Sequence, residues 1–180
     1  NESYKKIAIE RGGMKAEDVF VLRSGPKLER LKIQEPKSEI KRGKKFMVGY
    51  LGVIGQQEGI EYLLKAAKYI KELPGRNDVF WGIVGGGPDL ERMKKLCHEM
   101  GLDDIVEFTG RVPDQKLLDY LNTADVCVNC DEYNAMNDKS TMNKVLEYMA
   151  LGKPLVQFDL TEGRYSAQNA SLYAEHNDAN

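Results

Sequence analysis

FMVGYLGVIGQQEGIEYLLKAAKYIKELPGRNDVFWGIVGGG, residues 46–87, decides the fold class of this chain. An apolar run ends in a glycine-punctuated turn, an amphipathic stretch follows, and Pro74-Gly75 separates that stretch from a second apolar run. The amphipathic stretch, predicted as a helix over about Glu58–Leu73, repeats apolar residues at the i, i+3, i+4 spacing of one helix face. A strand, a helix and a second strand in this order are typical of a parallel sheet.

The same alternation continues to residue 158. DVFWGIVG, IVEFTG, DVCVNC and LVQF are predicted as successive strands, with amphipathic stretches between them. We therefore predict an α/β domain, built as a three-layer Rossmann-like parallel sheet with helices on both faces. Upstream, we predict a helix through Ile9 and a short strand, Val19–Leu22, that joins the same sheet.

Length and composition limit the classes of function. The 180 residues fit one domain, and 26 basic residues against 28 acidic ones give no reason to expect a nucleic-acid partner. No apolar run approaches the roughly 20 residues that a bilayer span needs, and the polar amino terminus is not a signal peptide. A cytoplasmic location is expected. The missing initial Met and the polar carboxyl terminus suggest a domain, residues 1–180, excised from a longer protein.

The segment Arg23–Lys45 differs in composition from the rest of the chain. It holds nine basic and three acidic residues together with two prolines. We predict a linker or long surface loop within the domain. The alternative is peripheral contact with anionic lipid at the inner face of the membrane.

Cysteine usage gives no metal or disulfide signal. Cys127 and Cys130 form a single CxxC within an apolar run, without the second pair that a structural zinc site needs. Three cysteines are an odd number in a chain of this size. No metal is expected.

Glycines and charges follow the predicted strands, where open parallel sheets bind their ligands. Four successive strand ends carry a glycine, a charge or a helix start, which predicts a crevice for a phosphorylated ligand. A dinucleotide is disfavoured because Leu90 stands where a third glycine is needed, and no P-loop motif occurs. The candidate residues at the first three strand ends are Gly52, Gly55, Gly85, Gly87, Arg111 and Val112.

The fourth strand end leads to a helix predicted from residue 140 to residue 151, closed by Gly152. Ser140 or Thr141 is expected to cap it, and free N–H groups in its first turn would attract a phosphate, with Lys144 adding a positive charge. Glu147 lies two turns in, roughly 10 Å from the start, within reach of sugar hydroxyls. The predicted phosphate-binding residues are Ser140, Thr141, Met142, Asn143 and Lys144, and the predicted core-facing stripe is Met142, Val145, Leu146 and Met149.

Four segments in this order and spacing resemble the carboxy-terminal half of a family 4 (group 1) glycosyltransferase: VGYLGVIGQQEGIEYLLKAA, WGIVGGGPDLERMKKL, GLDDIVEFTGRVPDQKLLDYLNTADVCVNC and KVLEYMALGKPLV. The resemblance implies one half of a GT-B fold, a domain that binds a nucleotide-diphosphate sugar such as a UDP- or GDP-sugar. A separate amino-terminal domain would bind the acceptor. It also implies hexosyl transfer with retention of configuration, no cofactor, no metal, and no activity of this domain alone.

The resemblance assigns roles to several residues. Glu147 matches the family's ribose-binding Glu, backbone groups at Thr141 to Lys144 would meet the diphosphate, and the Arg111-Val112 turn would meet the base. The chain departs from the family at Lys139, where many members carry a sugar-binding Glu, and at Val53 and Glu58, where many carry cations. We expect Lys144 to replace those cations, and Asn137, Asp138 or Glu162 to replace the missing Glu.

Two other functions remain open at this stage. A sugar-nucleotide epimerase of GT-B shape would use the same crevice but would need a pair of carboxylates for proton transfer. A non-catalytic nucleotide-binding domain would need neither the missing Glu nor the missing cations.

Overall fold

A computed structural model of the chain describes residues 1–178. Its six strands form one sheet in the order β3-β2-β1-β4-β5-β6, and all neighbours run parallel. The predicted α/β fold is confirmed. From β1 the sheet is extended on one side by β2 and β3 and on the other by β4, β5 and β6. The carboxyl ends of β1 and β4 are therefore the topological switch point of the sheet. The strands are β1 Phe46–Leu51, β2 Val79–Val84, β3 Val106–Gly110, β4 Val126–Asn129, β5 Leu155–Phe158 and β6 Ser171–Ala174.

Helices cover both faces of the sheet, as predicted. Apolar side chains of α2 and α3 pack together on one face, and those of α4, α5 and α6 pack on the other. The first helix, α1, buries none of its residues. The helices are α1 Glu2–Glu10, α2 Ile60–Glu72, α3 Leu90–Glu99, α4 Asp114–Thr123, α5 Asn143–Ala150 and α6 Thr161–Ala167.

Helix α2 shows how the apolar pattern positions an element. Ile60, Leu63, Leu64 and Ala67 are buried against β1 and β2, on the face that the sequence predicts. The helix ends at Glu72, just before Pro74, because proline has no N–H to continue the ladder. The removal of these apolar side chains from water is the main contribution to the free energy that holds α2 against the sheet.

One prediction near the amino end of the chain was wrong. Val19–Leu22 forms no strand, and Phe20 and Leu22 are 82% and 90% exposed. Strand propensity alone does not place a segment in a sheet, and Val19–Leu22 pairs with neither edge strand, β3 or β6. The sequence analysis also missed α6 and β6, which are short and carry weak apolar patterns.

Helix α5 begins at Asn143, three residues later than predicted, and its buried stripe differs as well. Val145 and Tyr148 are buried, whereas Met149 is 37% exposed. The stripe continues to Leu151, because residues three apart share this side of the helix. A tyrosine thus occupies the core position that was predicted for a methionine.

Residues 23–45 lie outside the sheet, with one 3₁₀ turn at Ser38–Lys41. Five of the nine basic side chains in this segment form ion pairs with acids of the domain. These ion pairs hold the segment along the domain surface, against α4, α6, β3 and the turn before β4. The pairs are Arg23–Glu162, Arg30–Asp114, Lys37–Asp119, Lys41–Asp125 and Arg42–Glu107.

Candidate functional site

The carboxyl ends of β1 and β4 meet the start of α5 at the switch point of the sheet. Tyr148 fixes this junction, because its hydroxyl oxygen accepts a hydrogen bond of 2.7 Å from the backbone N–H of Leu51 at the end of β1. The same hydroxyl lies 3.3 Å from the carbonyl oxygen of Val128 in β4. One buried side chain therefore holds α5 against both strands at the point where open parallel sheets bind ligands.

The first turn of α5 is open. Met142 precedes the helix and makes no capping bond with its side chain. Among the hydrogen bonds described for residues 1–178, none uses the N–H groups of Asn143 or Lys144. These donors and the positive end of the helix dipole favour an anion at this position.

The predicted Ser/Thr cap is wrong. Ser140 donates its hydroxyl to the carbonyl of Met136 at 2.7 Å, and Thr141 Oγ1 accepts from Asn1 Nδ2 at 3.0 Å. Both hydroxyls are held by these bonds in the loop before α5, which makes a 3₁₀ turn at Asn137–Lys139. The N–H groups at the helix start consequently have no side-chain competitor for a ligand.

Lys144 is held in a buried ion pair. Its Nζ donates to Asp131 Oδ1 at 2.7 Å and to the Tyr50 hydroxyl at 3.2 Å. The side chains of Lys144 and Asp131 are only 11% and 2% exposed. Burial raises the pKa of the Asp131 carboxyl, and the nearby ammonium group opposes that rise. The cation predicted to meet a diphosphate therefore already has a partner in this structure.

Glu147 lines a cavity of about 200 Å³ between α4, α5 and the basic segment, which we call the Glu147 cavity. Burial raises the pKa of the Glu147 carboxyl, and Arg30 opposes the rise. Among residues 1–178, no hydrogen bond or ion pair is described for this carboxylate, so its oxygens are available to hydroxyl donors. The cavity is lined by Gly25, Pro26, Lys27, Arg30, Leu31, Asp114, Leu117, Leu118, Asn143 and Glu147.

A second cavity, of about 320 Å³, lies on the other side of the α5 start and is called here the Arg23 cavity. Asn143 lines both cavities, so the open first turn of α5 stands between them. The lining residues are Asn1, Tyr4, Leu22, Arg23, Ser24, Thr141 and Asn143.

The three residues predicted to replace the missing Glu have structural partners. Asn137 donates both amide hydrogens to backbone carbonyls, at 2.8 and 2.9 Å. Asp138 accepts from the N–H of Thr161 at 2.8 Å and so caps α6. Glu162 accepts from Ser3 and Arg23. Each therefore braces the loops around the site.

The predicted glycines shape the strand ends. A side chain at Gly85 would overlap the carbonyl oxygen of Gly52, and one at Gly87 would overlap that of Ile54. Gly85 also has a φ of 137°. The loops after β1 and β2 therefore approach each other closely because these positions lack a side chain. Gly52 has a further role, since a Cβ there would stand 3.2 Å from Lys144 Cε.

The remaining predicted residues lie nearby. The Arg111 side chain lies over Gly86, and Val112 packs at the edge of the apolar cluster on the α4 side. Gly55 and Glu58 line a third opening, with Val53. None of these lines the Glu147 cavity or the Arg23 cavity.

Sequence reasoning missed several residues of this site. Asp131 lies two residues after the end of β4, so its position near a strand end was a usable signal. Arg23 and Arg30 gave no signal, because they belong to a segment interpreted as a linker. The contacts that bring them to α5 connect residues far apart in the sequence, such as Arg30 and Asp114.

A doubly wound parallel sheet with an open helix start and two cavities at its switch point defines an α/β domain of the class that binds its ligands beyond the carboxyl ends of the strands. Comparison with known families identifies the class more closely. The family model described as "Glycosyl transferases group 1" matches residues 32–169. The chain belongs to this family, and the resemblance in its sequence is confirmed.

Curated relatives are glycosyltransferases. An uncharacterized glycosyltransferase of Methanocaldococcus jannaschii is 32% identical over 110 residues, which are 61% of this chain and 26% of the relative. A GDP-mannose-dependent alpha-(1-6)-phosphatidylinositol monomannoside mannosyltransferase of Mycobacterium tuberculosis is 41% identical over 76 residues, which are 41% of this chain and 20% of the relative. The matched segments thus span only a fifth to a quarter of the length of these relatives.

Solved structures show the same fold. Anabaena Alr3699/HepE, in complex with UDP and glucose, has a TM-score of 0.78 at 16% identity, over 99% of this chain and 48% of that chain. The C-terminal domain of a glycosyl transferase group 1 family protein, LpcC, from Francisella tularensis has a TM-score of 0.67 at 15% identity, over 86% of this chain and 82% of that chain. The fold is that of a GT-B carboxy-terminal domain.

Two kinds of feature are absent from residues 1–178. No helix within this range has the length and apolar character needed to cross a membrane. Within the same range, no three His, Cys, Asp or Glu side chains are grouped so that they could hold a metal ion.

Proposed function

We propose that this chain is the donor-binding domain of a retaining glycosyltransferase, which transfers a hexosyl group from a UDP- or GDP-sugar to an acceptor bound by a separate amino-terminal domain. The observation that carries the proposal is the open start of α5 between two cavities, with an unpaired Glu147 in one of them. Family membership and UDP-bound structural neighbours support it. The acceptor is a glycan, a polysaccharide or a lipid-linked sugar.

In this proposal the nucleoside occupies the Glu147 cavity. The carboxylate can accept hydrogen bonds from the two ribose hydroxyls, as the family resemblance implies for this residue. The diphosphate would then lie at the N–H groups of Asn143 and Lys144. The distance from the start of α5 to Glu147 is roughly 6 Å along the helix axis. A phosphate joined to a ribose spans a similar distance.

Transfer places negative charge on the diphosphate as the bond to the sugar breaks. N–H donors that are already oriented in the folded chain stabilise this charge without reorganising, so they favour the transition state over the ground state. Lys144, the second residue of α5, adds its charge in the same first turn. Because Asp131 neutralises part of that charge, the backbone donors of α5 would supply the larger share.

Calorimetric titration of the chain with UDP, GDP and their sugars tests the proposal. Glu147→Ala is expected to weaken nucleotide-diphosphate binding by about tenfold, the usual effect of losing charge-assisted hydrogen bonds. Lys144→Ala is also expected to weaken nucleotide-diphosphate binding. It is compared with Lys144→Ala/Asp131→Asn, in which the Asp131 carboxylate that lost its partner is replaced by a neutral amide. Unchanged affinity in all three variants would show that the ligand lies elsewhere.

One observation favours a domain that binds nucleotide without transferring sugar. Asn137, Asp138 and Glu162 are all engaged in structural contacts, which leaves the missing sugar-binding Glu without a replacement among them. A melting-temperature panel of nucleotides and nucleotide sugars distinguishes the two proposals. A sugar donor stabilises a donor-binding domain more than its nucleotide diphosphate does, whereas equal shifts favour the binding-only function.

A further inference from the structure

Arg23 precedes the sheet in sequence, yet its guanidinium group is fixed against α6. One NH2 group donates to Glu162 Oε2 at 2.9 Å, and the group lies 4.0 Å from the centre of the Tyr165 ring. Glu162 is buried and also accepts from the Ser3 hydroxyl at 2.8 Å. These contacts hold Arg23 in one orientation at the wall of the Arg23 cavity.

Thr141 and Asn143 line the same cavity. The loop that carries Thr141 is pinned from outside, because Asn1 donates to the Lys139 carbonyl at 2.8 Å and Tyr4 shares a hydrogen bond of 2.9 Å with Ser140. The Arg23 cavity is therefore lined by polar residues, Thr141 and Asn143, on the α5 side and by the Arg23 guanidinium group on the other.

Arg23 keeps more donors available than Lys144 does. A guanidinium group has five N–H donors, and the hydrogen bonds described for residues 1–178 use one of those on Arg23. Lys144 has three, of which two are used by Asp131 and Tyr50. The planar fork of an arginine is also suited to two phosphate oxygens at once.

We propose that Arg23 binds the phosphate that carries the sugar, so that a residue outside the sheet supplies a cation missing from the loop after β1. The loop after β1, residues 52–59, contains no Lys or Arg, so it offers no cation to this phosphate. Asn143 separates the cavities, so a diphosphate at α5 with its nucleoside beside Glu147 directs its second phosphate toward Arg23. The inference rests on the proposed function.

The experiment compares nucleoside monophosphates with diphosphates. The affinities of UMP and UDP, and of GMP and GDP, are measured by calorimetry for the wild-type chain, Arg23→Gln, Arg23→Lys and Arg42→Gln. Arg42→Gln is the matched control, since Arg42 belongs to the same segment, pairs with Glu107 and lines neither cavity. Arg23→Gln is expected to weaken the diphosphate about tenfold and the monophosphate less than twofold.

Arg23→Lys retains the charge and loses the fork, so an intermediate loss for the diphosphate is expected. If Arg23→Gln lowers the melting temperature, Arg23→Lys still tests the inference, because it keeps a cation beside Glu162. Equal effects of Arg23→Gln and Arg42→Gln, or equal losses for monophosphate and diphosphate, would overturn the inference. If Glu147→Ala weakens binding while both Arg23 variants bind normally, the proposed function stands and this inference falls. Failure of the wild-type chain to bind any of the four nucleotides overturns both.

Discussion

Lys144 Nζ lies 2.7 Å from Asp131 Oδ1 beneath the start of α5, and both side chains are almost fully buried. The other oxygen, Asp131 Oδ2, is buried and has no hydrogen-bond partner among residues 1–178. Removing one member of a buried pair leaves an uncompensated charge, whereas removing both can be nearly neutral. Substituting one or both members of this pair therefore shows how much the ion pair contributes to the stability of the fold.

Lys144→Met is expected to lower the free energy of unfolding by about 3 kcal/mol at pH 8 and by less at pH 5. Burial already raises the pKa of Asp131, and losing the ammonium group raises it further. A carboxyl with a raised pKa holds its proton more tightly in the folded state, so stability falls as pH rises through that pKa.

Urea denaturation at the two pH values measures this effect. The control is Lys144→Met/Asp131→Asn, which is expected to recover most of the stability and to lose the additional pH dependence. If the single variant is equally destabilised at both pH values, Asp131 does not change protonation in this range and the electrostatic account is wrong.

Tyr148→Phe is expected to lower the free energy of unfolding by about 1–3 kcal/mol, the cost of an unsatisfied buried polar group. The hydroxyl oxygen of Tyr148 accepts from the N–H of Leu51, and no water reaches this junction to replace it because the side chain is fully buried. Tyr69→Phe is the matched control on α2, since Tyr69 is 52% exposed. Equal losses in the two variants would contradict a specific role for the hydroxyl.

Much of the fold follows from local sequence patterns. Helix α2 and strands β1 and β2 have strong apolar periodicity and clear stop signals, so their positions were predicted within a few residues. The segment Val19–Leu22 has the same apolar character but no neighbouring strand. Whether an apolar segment joins a sheet depends on long-range pairing, which its own residues do not encode.

The candidate site was predictable only in part. The open start of α5 and Glu147 came from local spacing. The ion pair of Lys144 with Asp131 and the placement of Arg23 against Glu162 depend on side chains far apart in sequence. Lys144 was predicted from the sequence as an unpaired cation. The fold brings Asp131 close to it, so part of its charge is neutralised.

The glycines after β1 and β2 give a prediction about stability that does not involve a ligand. Gly85→Ala and Gly87→Ala are each expected to lower the free energy of unfolding by more than about 2 kcal/mol, because the new methyl group overlaps backbone atoms. Gly25→Ala is the control, since no atom lies within 4 Å of its Cβ position. Chemical denaturation of the three variants checks this. A small effect at Gly85 would mean that the two loops can separate without cost.

Residues 23–45 allow a prediction about membranes. Five basic side chains of this segment are paired with acids of the domain, so few charges remain to attract anionic lipid. We expect less than a tenth of the chain to pellet with phosphatidylserine vesicles, at low and at physiological salt. Asp114→Asn/Asp119→Asn, which releases Arg30 and Lys37, is expected to increase pelleting at low salt only. Strong, salt-sensitive pelleting of the wild-type chain would instead support peripheral membrane contact.

The ionisation of Glu147 predicts how nucleotide binding depends on pH. Only the carboxylate form offers all its oxygens as acceptors to the ribose hydroxyls, and burial raises the pKa of this group above its ordinary value. Affinity for UDP or GDP is therefore expected to fall as pH decreases from 7.5 to 5, in addition to the loss caused by protonation of the terminal phosphate at a pKa of about 6. Glu147→Gln is neutral at every pH, so it retains only the phosphate contribution and binds about tenfold more weakly at pH 7.5. Calorimetry at both pH values separates the two contributions, and parallel pH profiles for the wild-type chain and Glu147→Gln would show that the Glu147 carboxylate does not contact the ligand.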